Sequence, residues 1–431
     1  MKYENIGSEL FETNRKRLVK ALPKGAIAVF NSNDHMPTNA DGTMPFKQNN
    51  DLFYLTGVQQ EESCLVICPD FPDKNLREVL FLREPNELME KWEGHKLTKK
   101  EAKELSGVTT VRWNGDFQKV FHHMMVMGGV SSVFLNTNEH YRSSVVVETR
   151  DARFINWCKS AYPLHRYERV APIMASLRSV KQKREIELMQ KACDITEKGF
   201  RRVLGFVKPG VMEYEIEAEY VHEFIINRSR GFAYEPIIAS GSNNCVLHYL
   251  ENSRKCKAGD LILLDVAAEY ANYNSDLTRT IPVSGKFTKR QKEVYNAVLR
   301  VMRGAIKLMG PSTNFFNYQK EVEKMMEEEL LKLKLISKSE TMKNSPENPG
   351  FRKYFYHGTS HLIGLDVHDV GDMHANMAVG SAWTVEPGIY IQEEGFGIRL
   401  ENNVVLQKKG VVDLMKNIPI EVEEIEELMN T

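Results

Sequence analysis

Acids set within apolar runs are the first residues able to do chemistry. In Leu261–Pro282, LILLDVAAEYANYNSDLTRTIP, Asp265 interrupts an apolar stretch that reads as a buried strand. A carboxylate there is costly to desolvate and requires a partner. Asp276, in a second strand-like stretch, is another such acid. A hairpin would bring the two together, where they repel unless a cation or a shared proton intervenes. The alternative is a solvated turn with Asp276 paired to Arg279. Of twelve histidines, His357, His361, His368 and His374 fall within residues 357–374. Gly358 and Gly364 argue against a plain amphipathic helix there, despite the i, i+4 spacing of His357 and His361. His374 reads as a surface residue. Glu386 ends a strand ahead of Pro387-Gly388. In Gly397–Glu401, strand alternation sends Arg399 and Glu401 to one face, toward a site or as a surface ion pair. Four carboxylates and one histidine, with no thiolate, suit a pair of hard or borderline divalent ions better than a structural zinc.

These residues need elements to hold them. Gly25–Phe30, Ser63–Cys68, Val79–Leu82 and Ser131–Leu135 read as strands, and Thr98–Ser106 as a short helix capped by Thr98. Residues 1–172 therefore read as a smaller α/β domain. After Pro172 the pattern changes. Long helical stretches, among them Glu213–Ile226, 289–309 and 318–335, are interspersed with strand-like 261–284, 383–391 and 396–406. Residues 173–431 read as a second, larger domain, making the chain α+β. The polar, proline-bearing stretch Ser337–Gly350 reads as a mobile loop.

Composition excludes more than it identifies. The 431 residues carry 57 basic and 58 acidic side chains, a formal charge of −1. That leaves no overall electrostatic grip on nucleic acid or acidic lipid. No stretch approaches the ~20 apolar residues of a transmembrane helix, and the N-terminus has no apolar signal segment. Six cysteines at irregular spacings read as reduced thiols, Cys64 and Cys68 as core residues. The expectation is a cytoplasmic protein whose function sits in a site, with neither nucleic acid nor membrane as partner.

Taken in order, Asp265, Asp276, His361, Glu386 and Glu401 resemble the five-ligand dinuclear site of the pita-bread metallopeptidases, the methionine aminopeptidase and creatinase-like fold. The Asp-x10-Asp spacing, HGTSHLIGLDVHD, TVEPG and GIRLE carry the resemblance. It extends to the N-terminal half, where PFKQNNDLFYLTG (45–57) is similar to the aminopeptidase P branch, and to SGSNNCVLHY (240–249). The resemblance implies a C-terminal pita-bread domain behind a smaller α/β domain, and two divalent ions, most readily Mn2+. It also implies Xaa-Pro aminopeptidase activity on peptides with proline second, and a homodimer or homotetramer. Prolidase, confined to Xaa-Pro dipeptides, is the runner-up; a non-catalytic binding protein is the remaining alternative.

By the same resemblance, Asp265 would chelate one metal, His361 and Glu386 the other, with Asp276 and Glu401 bridging. The ions would share a water or hydroxide as nucleophile, with Glu386 carrying the proton. His368 would stabilise the developing oxyanion and His248 would stand near the leaving nitrogen. His357 would line the proline pocket, Arg399 would contact substrate or the metal surroundings, and Tyr390 would stand behind the ligands. Asp41 and Trp92 would close the site around the substrate's amino end. Two departures stand out. Asn402-Asn403 replace acids that often follow the family's GIRIE, and Asp372–Ser381 differs from the common loop.

Overall fold

The computed structural model describes residues 2–143, 145–341 and 349–431. It divides into two compact units, one of Asn5–Arg178 and one of Ser179–Thr431 joined by the residues preceding Asn5. Of the stretch expected as a mobile loop, 342–348 lie outside the described residues.

The N-terminal unit is built on β1 (Ala26–Asn31), β2 (Cys64–Ile67), β3 (Glu78–Leu82), β4 (Thr110–Trp113), β5 (Ser132–Leu135) and β6 (Arg166–Arg169). They form one sheet in the order β4-β3-β2-β1-β5-β6. β2 runs antiparallel to both neighbours and the other pairs are parallel. Its helices are α1 (Ser8–Ala21), α2 (Asn50–Thr56), α3 (Glu87–Glu93), α4 (Lys99–Ser106), α5 (Phe117–Met127), α6 (Arg150–Ala161) and α7 (Ala171–Ser179). Every residue of β1 is buried, as expected for a strand covered on both faces. Ile27, Val29, Val66 and Val133 meet Phe121 and Met124 of α5 and Cys158 of α6 in its core. Thr98 and Glu101 form a reciprocal capping box at the start of α4.

The C-terminal unit opens with α8 (Lys183–Phe206) and α9 (Glu213–Ile226), which pack together where Gly199 lets them approach. A Cβ at Gly199 would fall 2.7 Å from the Phe224 ring and 2.8 Å from Tyr220. Later helices are α10 (Lys289–Leu308), α11 (Phe315–Lys332), α12 (Lys338–Thr341) and α13 (Val422–Met429). No helix among the described residues is long and apolar enough to cross a membrane.

The strands that carry the acids are short. β7 (Ile237–Ser240), β8 (Leu261–Asp265) and β11 (Thr278–Pro282) make an antiparallel sheet with β8 in the centre. The segment between β8 and β11 does not continue as strand. It folds on itself as a ribbon of β9 (Glu269–Tyr270) and β10 (Tyr273–Asn274). Ala271 and Asn272, both at positive φ (54° and 67°), form its two-residue turn. β12 (Ala382–Val385), β15 (Asn402–Leu406) and β16 (Val411–Asp413) form another sheet, and β13 (Gly388–Ile391) pairs with β14 (Phe396–Arg399).

Candidate metal centre

The acids sit where strands end. β8 buries Leu261–Leu264 and finishes on Asp265, which lies opposite Thr278 of β11. Asp276 falls two residues before Thr278, in the link from β10, and is 5% exposed. Glu401 occupies the link between β14 and β15. Its N–H donates to the Thr278 carbonyl at 3.0 Å, and the Thr278 hydroxyl donates to Glu401 Oε2 at 2.7 Å. Thr278 therefore ties one acid-bearing link to another.

His361 is held at both its backbone and its ring. Its N–H donates to Thr384 Oγ1 at 3.1 Å, and its Nδ1 lies 3.0 Å from the Leu362 carbonyl. That carbonyl can only accept, so Nδ1 carries a proton and Nε2 faces the acids. Nε2 stands 3.5 Å from Asp276 Oδ2 and 3.4 Å from Glu386 Oε1. One donor atom each from Asp276, His361 and Glu401 lie within 4.8 Å of one another. Asp265 feels the charge of Asp276 but is not among the donors that converge within 4.8 Å. Its Oδ1 accepts from Tyr234 at 2.5 Å and its Oδ2 from Arg399 Nη2 at 2.6 Å.

Electrostatics show how uncomfortable this gathering is without a cation. Burial, then repulsion from Asp276, Glu386 and Asp265, pushes Glu401 well above the usual carboxylate range. Burial pushes Glu386 up to about 7, although His361 opposes the shift. Asp265 is raised by burial despite the Arg399 charge. Burial disfavours the His361 imidazolium, yet Asp276 and Glu386 outweigh it and raise the pKa. Glu401 Oε1 is buried with no hydrogen-bond partner among the described residues. An orphaned carboxylate oxygen among three other acids and an imidazole nitrogen is a donor set fitted to divalent cations.

Beside the acids runs a directional chain of hydrogen bonds. Arg399 Nη1 donates to the Tyr390 hydroxyl at 2.9 Å, and that hydroxyl lies 2.8 Å from His357 Nε2. His357 Nδ1 donates to the Gly358 carbonyl at 2.8 Å, leaving Nε2 to accept from Tyr390. Burial, with Arg399 adding to it, lowers His357 to about 3, so its ring is neutral. His357 Nδ1 is 4.0 Å from Glu386 Oε2. The exposed His368 packs edge-on against His361, centroids 4.3 Å apart. His248 is exposed, beyond the 3-10 turn Gly241–Cys245, and its charge contributes to lowering His357. His374 is exposed beside Phe316. Asp41 and Trp92 belong to the N-terminal unit, and both are exposed in it, Trp92 at 83%.

Two alternatives left open by the sequence are corrected. Arg279 does not pair with Asp276. It is fully buried on the opposite face of β11 and donates to the carbonyls of Pro419, Thr278 and Glu401 and to Asn402 Oδ1. Arg399 and Glu401 are not a surface ion pair; both are buried, and Arg399 pairs with Asp265. Nor do they share one strand, since β14 ends at Arg399 and β15 begins at Asn402. Sequence reasoning missed Tyr234 and Thr278, and marked Asn403 only as a departure without a role. Thr278 was available from parity, because residues 276, 278 and 280 share a strand face. Tyr234 gives no signal of its own.

Residues 187–408 match the profile of metallopeptidase family M24, and residues 11–133 that of the aminopeptidase P N-terminal domain. The chain is 32% identical to the Xaa-Pro aminopeptidase of Escherichia coli strain K12 over 98% of both chains. It is 31% identical to Xaa-Pro aminopeptidase 3 of Homo sapiens, over 89% of this chain and 76% of that relative. A Bacillus anthracis chain assigned to aminopeptidase P superposes with a TM-score of 0.90 at 31% identity, covering 98% of both chains. Zinc-substituted E. coli aminopeptidase P in complex with product gives 0.86 at 31% identity, covering 99% of both.

Proposed function

The chain belongs to metallopeptidase family M24, with an α+β fold in which a pita-bread domain follows a smaller aminopeptidase P-type domain, and we propose that it is a Xaa-Pro aminopeptidase, removing the first residue from peptides with proline second. The observation that carries this reading is the convergence of Asp276, His361 and Glu401 donor atoms within 4.8 Å, one Glu401 oxygen having no partner. In this reading Asp265, Asp276, His361, Glu386 and Glu401 hold two divalent ions, Mn2+ by preference of an oxygen-rich set. Such ions would bring the pKa of a water down toward neutrality, supplying the nucleophile for peptide hydrolysis.

The remaining work falls to side chains. Glu386, its Oε1 beside His361, is placed to take and return a proton. His368, against His361, is available to donate to the carbonyl oxygen as negative charge develops there. His248 stands on the side of His357 and would meet the leaving nitrogen. Neutral His357, held by Tyr390, offers an uncharged ring face for proline. Arg399 orients Asp265 and Tyr390 together. Asp41 and Trp92, exposed in the N-terminal unit, would cover the substrate's amino end from a second copy in a homodimer or homotetramer. The six free, buried cysteines agree with a reducing, cytoplasmic setting.

Purified protein assayed on Xaa-Pro and Xaa-Pro-Yaa tests the assignment. Cleavage of the longer peptide N-terminal to proline is expected; activity confined to dipeptides would make the protein a prolidase.

A further inference from the structure

We propose that Asn403 is a positioning residue for Asp276, fixing that carboxylate through a two-point grip on the Asp276 backbone. The inference rests on the metal reading above.

Asp276 lies in the link between β10 and β11, outside any strand ladder. A buried backbone N–H or C=O without a partner is costly, so a ligand-bearing link in the interior needs an outside source of hydrogen bonds. The Asn403 side chain supplies both. Asp276 N–H donates to Asn403 Oδ1 at 2.9 Å, and Asn403 Nδ2 donates to the Asp276 carbonyl at 2.8 Å. The carboxamide thus takes the place of a neighbouring strand. These contacts also fix the amide's orientation, since a flipped group would set donor against donor and acceptor against acceptor.

Asn403 is itself well anchored. It is 0% exposed, and β15 pairs it with Thr384 of β12. Its carbonyl accepts from Leu414 N–H at 2.9 Å. Thr384 is the residue whose hydroxyl accepts from His361 N–H. Two residues facing each other in one ladder therefore hold two members of the metal-binding group, one by its backbone N–H and carbonyl, the other by its N–H. This bears on the departure noted in the sequence. An ionised Asp at 403 could accept from Asp276 N–H but could not donate to the Asp276 carbonyl. It would also add a fifth carboxylate beside the four already gathered.

The test uses the isosteric Asn403→Asp and the truncating Asn403→Ala in the full chain. Mn2+ binding is measured by calorimetry on EDTA-stripped protein, alongside circular dichroism, kcat and KM. Mutating partners that orient metal ligands costs roughly 10–100-fold in metal affinity. We expect N403D and N403A to keep the wild-type circular dichroism spectrum, to lose Mn2+ affinity by about that factor, and to lose kcat more than they change KM. Saturating Mn2+ should restore part of the lost kcat. If N403A does not fold, N403D carries the test, its single lost donor still expected to weaken Mn2+ binding. A folded variant that binds Mn2+ as tightly as wild type overturns the role of Asn403 and leaves the metal reading standing. Wild-type protein that binds no divalent ion overturns both.

Discussion

Arg399 Nη2 and Asp265 Oδ2 meet at 2.6 Å in the interior of the C-terminal unit, and the same guanidinium reaches Tyr390 and Thr278 at 2.9 and 3.1 Å. One planar fork thus links an acid of the proposed metal-binding group, the tyrosine that holds His357, and the threonine that holds Glu401. A lysine offers a point charge on a flexible stem and cannot reproduce the three directions. Arg399→Met should cost about 3–5 kcal/mol of stability, because it strands a buried carboxylate. Arg399→Lys should cost less stability but still lose activity. Urea unfolding and kcat/KM measure the two effects separately; an Arg399→Lys enzyme with wild-type kcat/KM would remove the need for the fork.

Asp276→Asn deletes a charge from the most crowded part of the group. Metal-assisted stabilisation of a transition state is worth several kcal/mol, so activity should fall by at least about 10³-fold. The metal-free variant should nevertheless melt higher than metal-free wild type, because repulsion among buried acids is relieved. Differential scanning calorimetry with and without Mn2+ checks both halves. A lower metal-free melting temperature would mean that Asp276 is held by favourable contacts and not by a missing cation.

Metal-free stability should depend on pH with an unusual sign. Glu386 is raised to about 7, chiefly by burial, and Asp151 of the N-terminal unit is likewise raised to about 7 by burial. In the folded chain both keep a proton that the unfolded chain has released. At these two carboxyls the folded state then binds more protons, and their share of stability falls as pH rises from about 5 to about 7. One share from His357 opposes this, because that ring is lowered to about 3 in the folded chain and is protonated only in the unfolded chain up to about 6.5. Asp151→Asn should remove one share of that slope and Mn2+ the share due to Glu386. Melting temperatures rising over the same interval would contradict both assignments.

His357, lowered to about 3 by burial and by Arg399, should remain neutral throughout the working range. In metal-free protein its imidazole resonances should show no titration between about pH 5 and pH 8. A midpoint inside that interval would mean that the ring is solvated, or stands farther from Arg399, in solution.

The acids were legible because each stood in the wrong company, Asp265 in an apolar run and Glu386 before a Pro-Gly turn. Helices were legible for the usual reason: Glu213–Ile226 has the same bounds in the structure as in the sequence pattern. The link between β8 and β11 was not, because Ala271 holds a positive φ that its side chain does not favour and that nothing local announces. The residues that orient the acids were hidden for a different reason. Tyr234 and Asp265 are 31 residues apart, and Asn403 and Asp276 are 127 apart. Periodicity reports faces within one element and carries no information about which elements meet. Arg279 illustrates the cost: close to Asp276 in sequence, it was the obvious partner, yet it lies on the other side of its strand.

Stripping the protein with EDTA and titrating Mn2+ back, while following hydrolysis of an Xaa-Pro-Yaa peptide, tests the central claim most directly. The account predicts no turnover in the stripped protein, and full recovery of cleavage before proline as the second equivalent of Mn2+ binds per chain. Turnover that survives complete metal removal, or a fully loaded protein that leaves the peptide intact, would contradict it.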